Sequence, residues 1–320
     1  VSNKKHLLKN LAKISLDMQQ KKPFLAQVCI VCIQLTGLLP LTLRRHIGWF
    51  LGQLLAPFLR REVQIALAQT SFALPKNHQP LPSHIFSHLC LSVLEACNLK
   101  PILTRSQELI TCPDLLKMKE ALAEKKGVIC LTAHFGCWDL LAAWAIQSGF
   151  PMRPIGRPAR NKIAQAILQF WRERYGVYTV WRHTKGGVSE ILSTLEKGEM
   201  IAALIDQDTR VKSIYSPFFS LDARTPSALI ELGLRRNCPI MGACMRRTVD
   251  GRYEVSVTRF TGGLNEVLAQ YHNFLEQQIL KAPAQWVWFH KRWRSRPDGR
   301  ILRGEEYIQF LDSTKKRGSF

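Results

Sequence analysis

His134 and Asp139, five residues apart in LTAHFGCWD, are the pair of residue types that general-base chemistry requires. An imidazole oriented by a carboxylate can take a proton from an alcohol, and the carboxylate then stabilises the imidazolium. On a continuous helix the two side chains would point about 140° apart, so they can meet only through a turn. Gly136, between them, permits one. Asp206 and Asp208 in LIDQD form a second pair of carboxylates, open to a metal reading or to capping of the loop that follows. Cys29 and Cys32 form a CxxC inside an apolar run, where packing is the simpler reading than zinc or redox chemistry. The sequence has no GxSxG elbow, P-loop or dinucleotide fingerprint, which argues against an ordinary serine hydrolase and against nucleotide-dependent chemistry.

The elements that must position these groups alternate in type. A helix to Lys125 precedes the apolar run GVICLTA, which delivers His134 at the C-terminal end of a buried strand, where α/β proteins place catalytic groups. A helix from about Asp139 to Gln147, the run MRPIG, a helix from Asn161 to Tyr175 and the strand-like VYTV follow. Next come a helix from Gly187 to Leu195, the strand IAALI, which ends beside Asp206, and a helix from Thr225 to Arg236. The strands PIMGAC and RYEVSVTRF and a helix from Glu266 to Leu280 complete the pattern. It predicts an α/β fold with a mixed, mostly parallel sheet flanked by helices.

Lys and Arg outnumber Asp and Glu by 45 to 24 in 320 residues, a formal charge of +21. That balance favours anionic partners: nucleic acid, phosphorylated lipid, an acidic carrier protein or an anionic membrane face. The nine cysteines lie in apolar stretches and suit a reducing compartment better than a disulfide framework. Residues 24–43 carry no charge, and as one helix they would rise about 30 Å, so the segment can either span a bilayer or lie in its interface. Lysines before it (Lys4, Lys5, Lys9, Lys13, Lys21, Lys22) and arginines after it (Arg44, Arg45, Arg60, Arg61) leave its orientation open. The Pro-rich stretch 75–82 is the best internal boundary and predicts an N-terminal hydrophobic, membrane-association region over 1–75 and a catalytic domain over 76–320. The C-terminal WVWFHKRWRSRP interleaves aromatic and basic residues, as a headgroup-level belt or a base-stacking surface would.

HFGCWD fits the HxxxxD/E signature of the glycerolipid acyltransferase superfamily, with Asp139 where the lipid A branch commonly has Glu. Together with GRPARN, WRERYG, LIDQD, SPFFSLDARTP and QWVWFHKRW in the same order, it makes the chain resemble the late lipid A acyltransferases over about residues 14–297. The resemblance implies an acyltransferase-type α/β fold and direct transfer of a fatty acyl group from a thioester to a lipid hydroxyl, with His134 and Asp139 catalytic and no cofactor or metal. It implies that Arg157 and Asn161 help position acceptor or donor and that Arg172 or Arg174 meets a phosphate or the developing oxyanion, although both arginines also suit a solvated helix face. Asp206 takes a structural or substrate-orienting role, and Pro217, Phe218 and Phe219 either wall a substrate groove or pack in the core. The implied partners are an acyl carrier protein as donor, a lipid A precursor or related glycolipid as acceptor, and the cytoplasmic face of a bacterial inner membrane, with no nucleic acid. An acyl-coenzyme A enzyme acting on another lipid, and a non-catalytic basic membrane-peripheral protein, are the alternatives.

Overall fold

A computed structural model describes residues 24–182 and 186–317, so the N-terminal lysines up to Lys22 lie outside the described residues. The apolar run 24–43 is not one helix. Helix α1 (Phe24–Thr36) stops at a turn over Gly37 to Pro40, and α2 (Leu41–Leu55) leaves in a new direction. Pro40 lacks a backbone N–H and disfavours a helical residue before it, which accounts for the break. Among the described residues no single helix is long and apolar enough to cross a membrane; the only candidate is the bent pair Gln27–Thr36 and Leu41–Phe58, at 116°.

Helix α2 is fastened to the rest of the chain through small residues. A Cβ on Gly48 would lie 2.7 Å from Leu91 Cα, and one on Gly52 would lie 2.2 Å from Ser87 Cα, so only glycine lets α2 approach helix α4 (Pro82–Ala96) this closely. Arg44, fully buried, donates to the carbonyls of Leu94, Glu95 and Asn98 and so caps the C-terminal end of α4. Helix α3 (Arg60–Ala73) reaches the far end of the sequence, because its buried Gln69 bonds to the carbonyls of Trp288 and His290. The outer faces of α1 and α2 keep Val28, Val31, Leu35, Leu38, Phe50 and Leu54 exposed.

The centre of the fold is a seven-stranded sheet in the order β1 (Ile110–Thr111), β9 (Tyr253–Phe260), β8 (Ile240–Arg247), β2 (Val128–Thr132), β5 (Met200–Leu204), β3 (Met152–Gly156), β4 (Val180–Trp181). Every neighbouring pair is parallel except β8 with β9, so the sheet is mixed and mostly parallel. Strand β2 is central and buried along its whole length, as its unbroken apolar sequence requires. Helices α5 (Leu115–Ala123), α6 (Trp138–Gln147), α7 (Lys162–Glu173), α8 (Gly187–Glu196), α9 (Ala228–Arg235) and α10 (Leu264–Lys281) flank it, and α11 (Gly304–Arg317) packs on α3.

A separate hairpin joins β6 (Ser213–Phe218) to β7 (Leu221–Pro226) and has no counterpart in the sequence-based expectation. Its two-residue turn places Phe219 at φ 46° and Ser220 at φ 62°, the conformation that usually selects Asn-Gly. Phe218 is buried among Trp286, Trp293 and His272, so this part of the PFF block is core. The C-terminal aromatics are core too, in contrast to a headgroup belt or a base-stacking surface. Trp286, Trp288 and Trp293 are buried because each indole N–H finds an internal acceptor: Asp206, the Pro283 carbonyl, and the Phe218 and Leu221 carbonyls.

Candidate functional site

His134 stands two residues beyond the end of β2, and Asp206 two beyond the end of the adjacent parallel strand β5. Because Thr132 pairs with Leu204, this register carries the two side chains to the same edge of the sheet. His134 Nδ1 lies 2.8 Å from Asp206 Oδ1, and the His134 backbone N–H donates to Oδ2 at 3.0 Å. Trp286 Nε1 donates to the same Oδ2 at 2.9 Å. The imidazole is 29 % exposed and the carboxylate 1 %. Burial works to raise the Asp206 carboxyl, but the charge and hydrogen bonds of His134 and the indole of Trp286 outweigh it, and the carboxyl lies below its ordinary range. An Nδ1–H held by a carboxylate leaves the Nε2 lone pair free, which is the tautomer a general base needs.

The turn that follows is held from several elements. Gly136 has φ 58°, and a Cβ there would meet the Met245 carbonyl at 1.8 Å, so no other residue fits. Its N–H donates to the Gln285 carbonyl at 2.8 Å and its carbonyl accepts from Ser92 Oγ at 3.2 Å. Cys137 N–H donates to Met245. Beneath the turn, Glu95 is fully buried between Arg247, Arg45 and the Tyr253 hydroxyl. Burial favours the neutral acid, yet these partners hold the Glu95 carboxyl down at about 2.

Asp139, the second residue of α6, is not hydrogen-bonded to His134. It accepts from Arg172 Nε at 2.9 Å, and Arg172 Nη1 reaches Thr179 Oγ1 at 3.3 Å. The structure thus brings His134 together with Asp206 and Asp139 together with Arg172. Both Asp139 and Arg172 line an apolar cavity between α6 and the sheet, walled by Met118, Leu141, Trp144, Phe150, Met200 and Val257. Arg157 lies exposed in the loop after β3. Asn161 caps α7, its Oδ1 accepting from the N–H groups of Ile163 and Ala164. Arg174 points elsewhere, donating to the Cys97 carbonyl and the Tyr175 hydroxyl. Asp208 accepts from the Ser295 N–H and sits near Arg224 and Arg294, facing partners different from those of Asp206.

Two neighbours of the site are given no role in it by the sequence. Trp286 was recognised there only as an aromatic of a surface belt, and His290 was passed over. His290 Nε2 accepts from the Asp208 N–H at 3.1 Å, and burial lowers its pKa to about 4, so it is neutral at pH 7. The available signal was the shared position of LTAH and LIDQD at the ends of adjoining strands.

The profile of the bacterial lipid A biosynthesis acyltransferases matches residues 12–295. The chain belongs to this family. It is therefore an acyltransferase of the lipid A type. A palmitoleoyltransferase of lipid A biosynthesis from Escherichia coli K12 is 24 % identical over 274 residues, 82 % of this chain and 88 % of the relative. A lipid A biosynthesis lauroyltransferase from the same strain is 23 % identical over 312 residues, 91 % and 98 % of the two chains. A lipid A biosynthesis acyltransferase from Haemophilus influenzae is 25 % identical over 190 residues, 58 % and 59 %. The fold of this chain is the mostly parallel sheet described above, with His134 two residues beyond the end of the central strand.

Proposed function

We propose that the chain moves a fatty acyl group from an acyl carrier protein thioester to a hydroxyl of a lipid A precursor, at the cytoplasmic face of a bacterial inner membrane. The observation that carries this reading is the exposed imidazole of His134 with Nδ1 tied to a buried carboxylate. His134 Nε2 takes the proton of the acceptor hydroxyl as its oxygen attacks the thioester carbonyl. The tetrahedral oxyanion collapses, the C–S bond breaks, and the proton on Nε2 passes to the departing thiolate. Asp206 stabilises the imidazolium between these steps. Asp139 holds Arg172 at the wall of the apolar cavity, where the guanidinium can offer its remaining N–H groups to the oxyanion or to a phosphate. The donor's acyl chain occupies that cavity. Residues 1–75 supply membrane attachment through the exposed apolar faces of α1 and α2, and residues 76–320 supply the chemistry.

The test is acyl transfer to a purified lipid A precursor, read by mass spectrometry, with acyl carrier protein and coenzyme A thioesters in separate reactions. His134→Ala should lose about 10²–10⁴-fold in rate while circular dichroism stays that of the folded protein. A folded His134→Ala protein working at the wild-type rate overturns the mechanism. Transfer from the coenzyme A thioester alone overturns the donor assignment.

A further inference from the structure

The first turn of α6 separates two cavities. Trp138 and Asp139 line the large one against the sheet, and they also line a second, partly open to solvent, beside α4. This second cavity runs along α4, whose Leu89, Val93 and Ala96 share one face, past Leu140 to Leu99 and to Trp171 of α7. Its polar lining groups are already partnered, since Glu95 is held by Arg247, Arg45 and Tyr253, and Ser92 donates to the carbonyls of His88 and Gly136. Trp171 Nε1 is the exception. It is buried and has no acceptor among the described residues. An indole nitrogen can only donate, and a buried donor without an acceptor is destabilising, so the site suits an occupant that is mainly hydrocarbon and carries an oxygen near Trp171.

We propose that this second cavity binds a hydrocarbon chain of the acceptor lipid, with an ester, amide or hydroxyl oxygen of that chain accepting from Trp171 Nε1. The inference rests on the reading of His134 as an acyl-transfer base. Two substrates with long chains must then meet at one imidazole, and Trp138, edge-on to His134 with centroids 5.4 Å apart, divides the spaces that would take them. The cavity on the α4 side adjoins the apolar N-terminal face. Asn98, beside its lining residue Leu99, donates to the Gly37 carbonyl at the corner between α1 and α2, and α1 packs beside α7. A lipid leaving a bilayer reaches this side first, whereas a chain delivered by a water-soluble carrier needs no such path. Water alone would fill the cavity poorly, with one free donor and mostly carbon around it.

A lipid A precursor bearing a diazirine in an acyl chain, photolysed with the full-length protein in detergent micelles without donor, reads the site directly. Peptide mapping should find label in residues 89–99 and at Trp138, Leu140 or Trp171, and Ala96→Phe should reduce it several-fold. Trp171→Phe, which removes the N–H with little change of shape, should raise the acceptor KM about three- to tenfold and leave the donor KM unchanged. Label confined to the cavity against the sheet, or unaltered labelling in Ala96→Phe together with unaltered acceptor KM in Trp171→Phe, overturns the proposal. A wild-type protein that transfers no acyl group refutes the catalytic reading, while the labelling pattern still decides this one.

Discussion

The two aspartates near the histidine hold different partners, and that division predicts different kinetics. Asp206→Asn replaces the carboxylate on His134 Nδ1 with an amide that neither fixes the tautomer nor stabilises imidazolium, so kcat should fall by about 10²–10⁴-fold. Asp139→Asn weakens the hold on Arg172 and should act more on KM, because its carboxylate reaches His134 through no hydrogen bond. Equal losses of kcat in both variants, with KM unchanged in each, would remove the distinction. The HxxxxD spacing marked a histidine at a strand end and the turn through Gly136 that follows it. It could not disclose that the second residue of a helix faces Arg172, because that choice depends on a helix more than thirty residues further on. Buried His272 adds a pH effect, because burial and nearby Arg292 lower its pKa to about 3. A lowered histidine pKa gives stability that is present above pH 6.5 and lost as pH falls toward the folded value. Denaturant unfolding should therefore show a loss of about 2 kcal/mol from this residue between pH 7 and pH 5, and His272→Gln should flatten that dependence.

At the scale of elements, the β6–β7 turn stores strain that a single substitution should relieve. Ser220, exposed with φ 62°, pays the left-handed cost that glycine avoids, so Ser220→Gly should raise stability by about 1 kcal/mol in thermal or denaturant unfolding. No gain, with activity intact, would mean that the turn relaxes in solution. The alternating helices and strands were legible because their apolar periods are long and regular, as in Val128–Thr132 and Leu264–Lys281. The hairpin was not, because Phe219-Ser220 replaces the Asn-Gly that ordinarily announces such a turn. In the apolar run 24–43, Gly37 and Pro40 already carried the signal for the break. The aromatic and basic C-terminal segment was ambiguous for a different reason: interleaved Trp and Arg suit an interface when their polar tips meet water, and suit a core when those tips find carbonyls. Arg292, buried with the Arg224 carbonyl and Thr225 as acceptors, shows the second case.

For the whole molecule, a charge of +21 and an apolar N-terminal face act at different ranges. Positive charge of this size would attract an acidic carrier over roughly a Debye length, about 10 Å at 0.1 M salt, whereas an apolar face works only in contact. Raising ionic strength should therefore slow turnover with the acyl carrier protein more than with the coenzyme A thioester. Binding to neutral phospholipid vesicles should respond little to salt and should weaken in Phe50→Asp, whose side chain is exposed on α2. Equal salt sensitivity for both donors would count against steering of the carrier.

The turn around Gly136 also sets a time of assembly. Its partners Asp206, Met245, Gln285 and Val287 are made 70 to about 150 residues after it. A nascent chain halted at residue 280 would hold His134, Asp139 and Asp206, yet it would lack the carbonyl that receives the Gly136 N–H and the indole that shares Asp206. The turn is thus complete only once residues 285–287 have been made, and a protein cut within residues 282–287 after folding would lose the strap that holds Gly136 and Asp206.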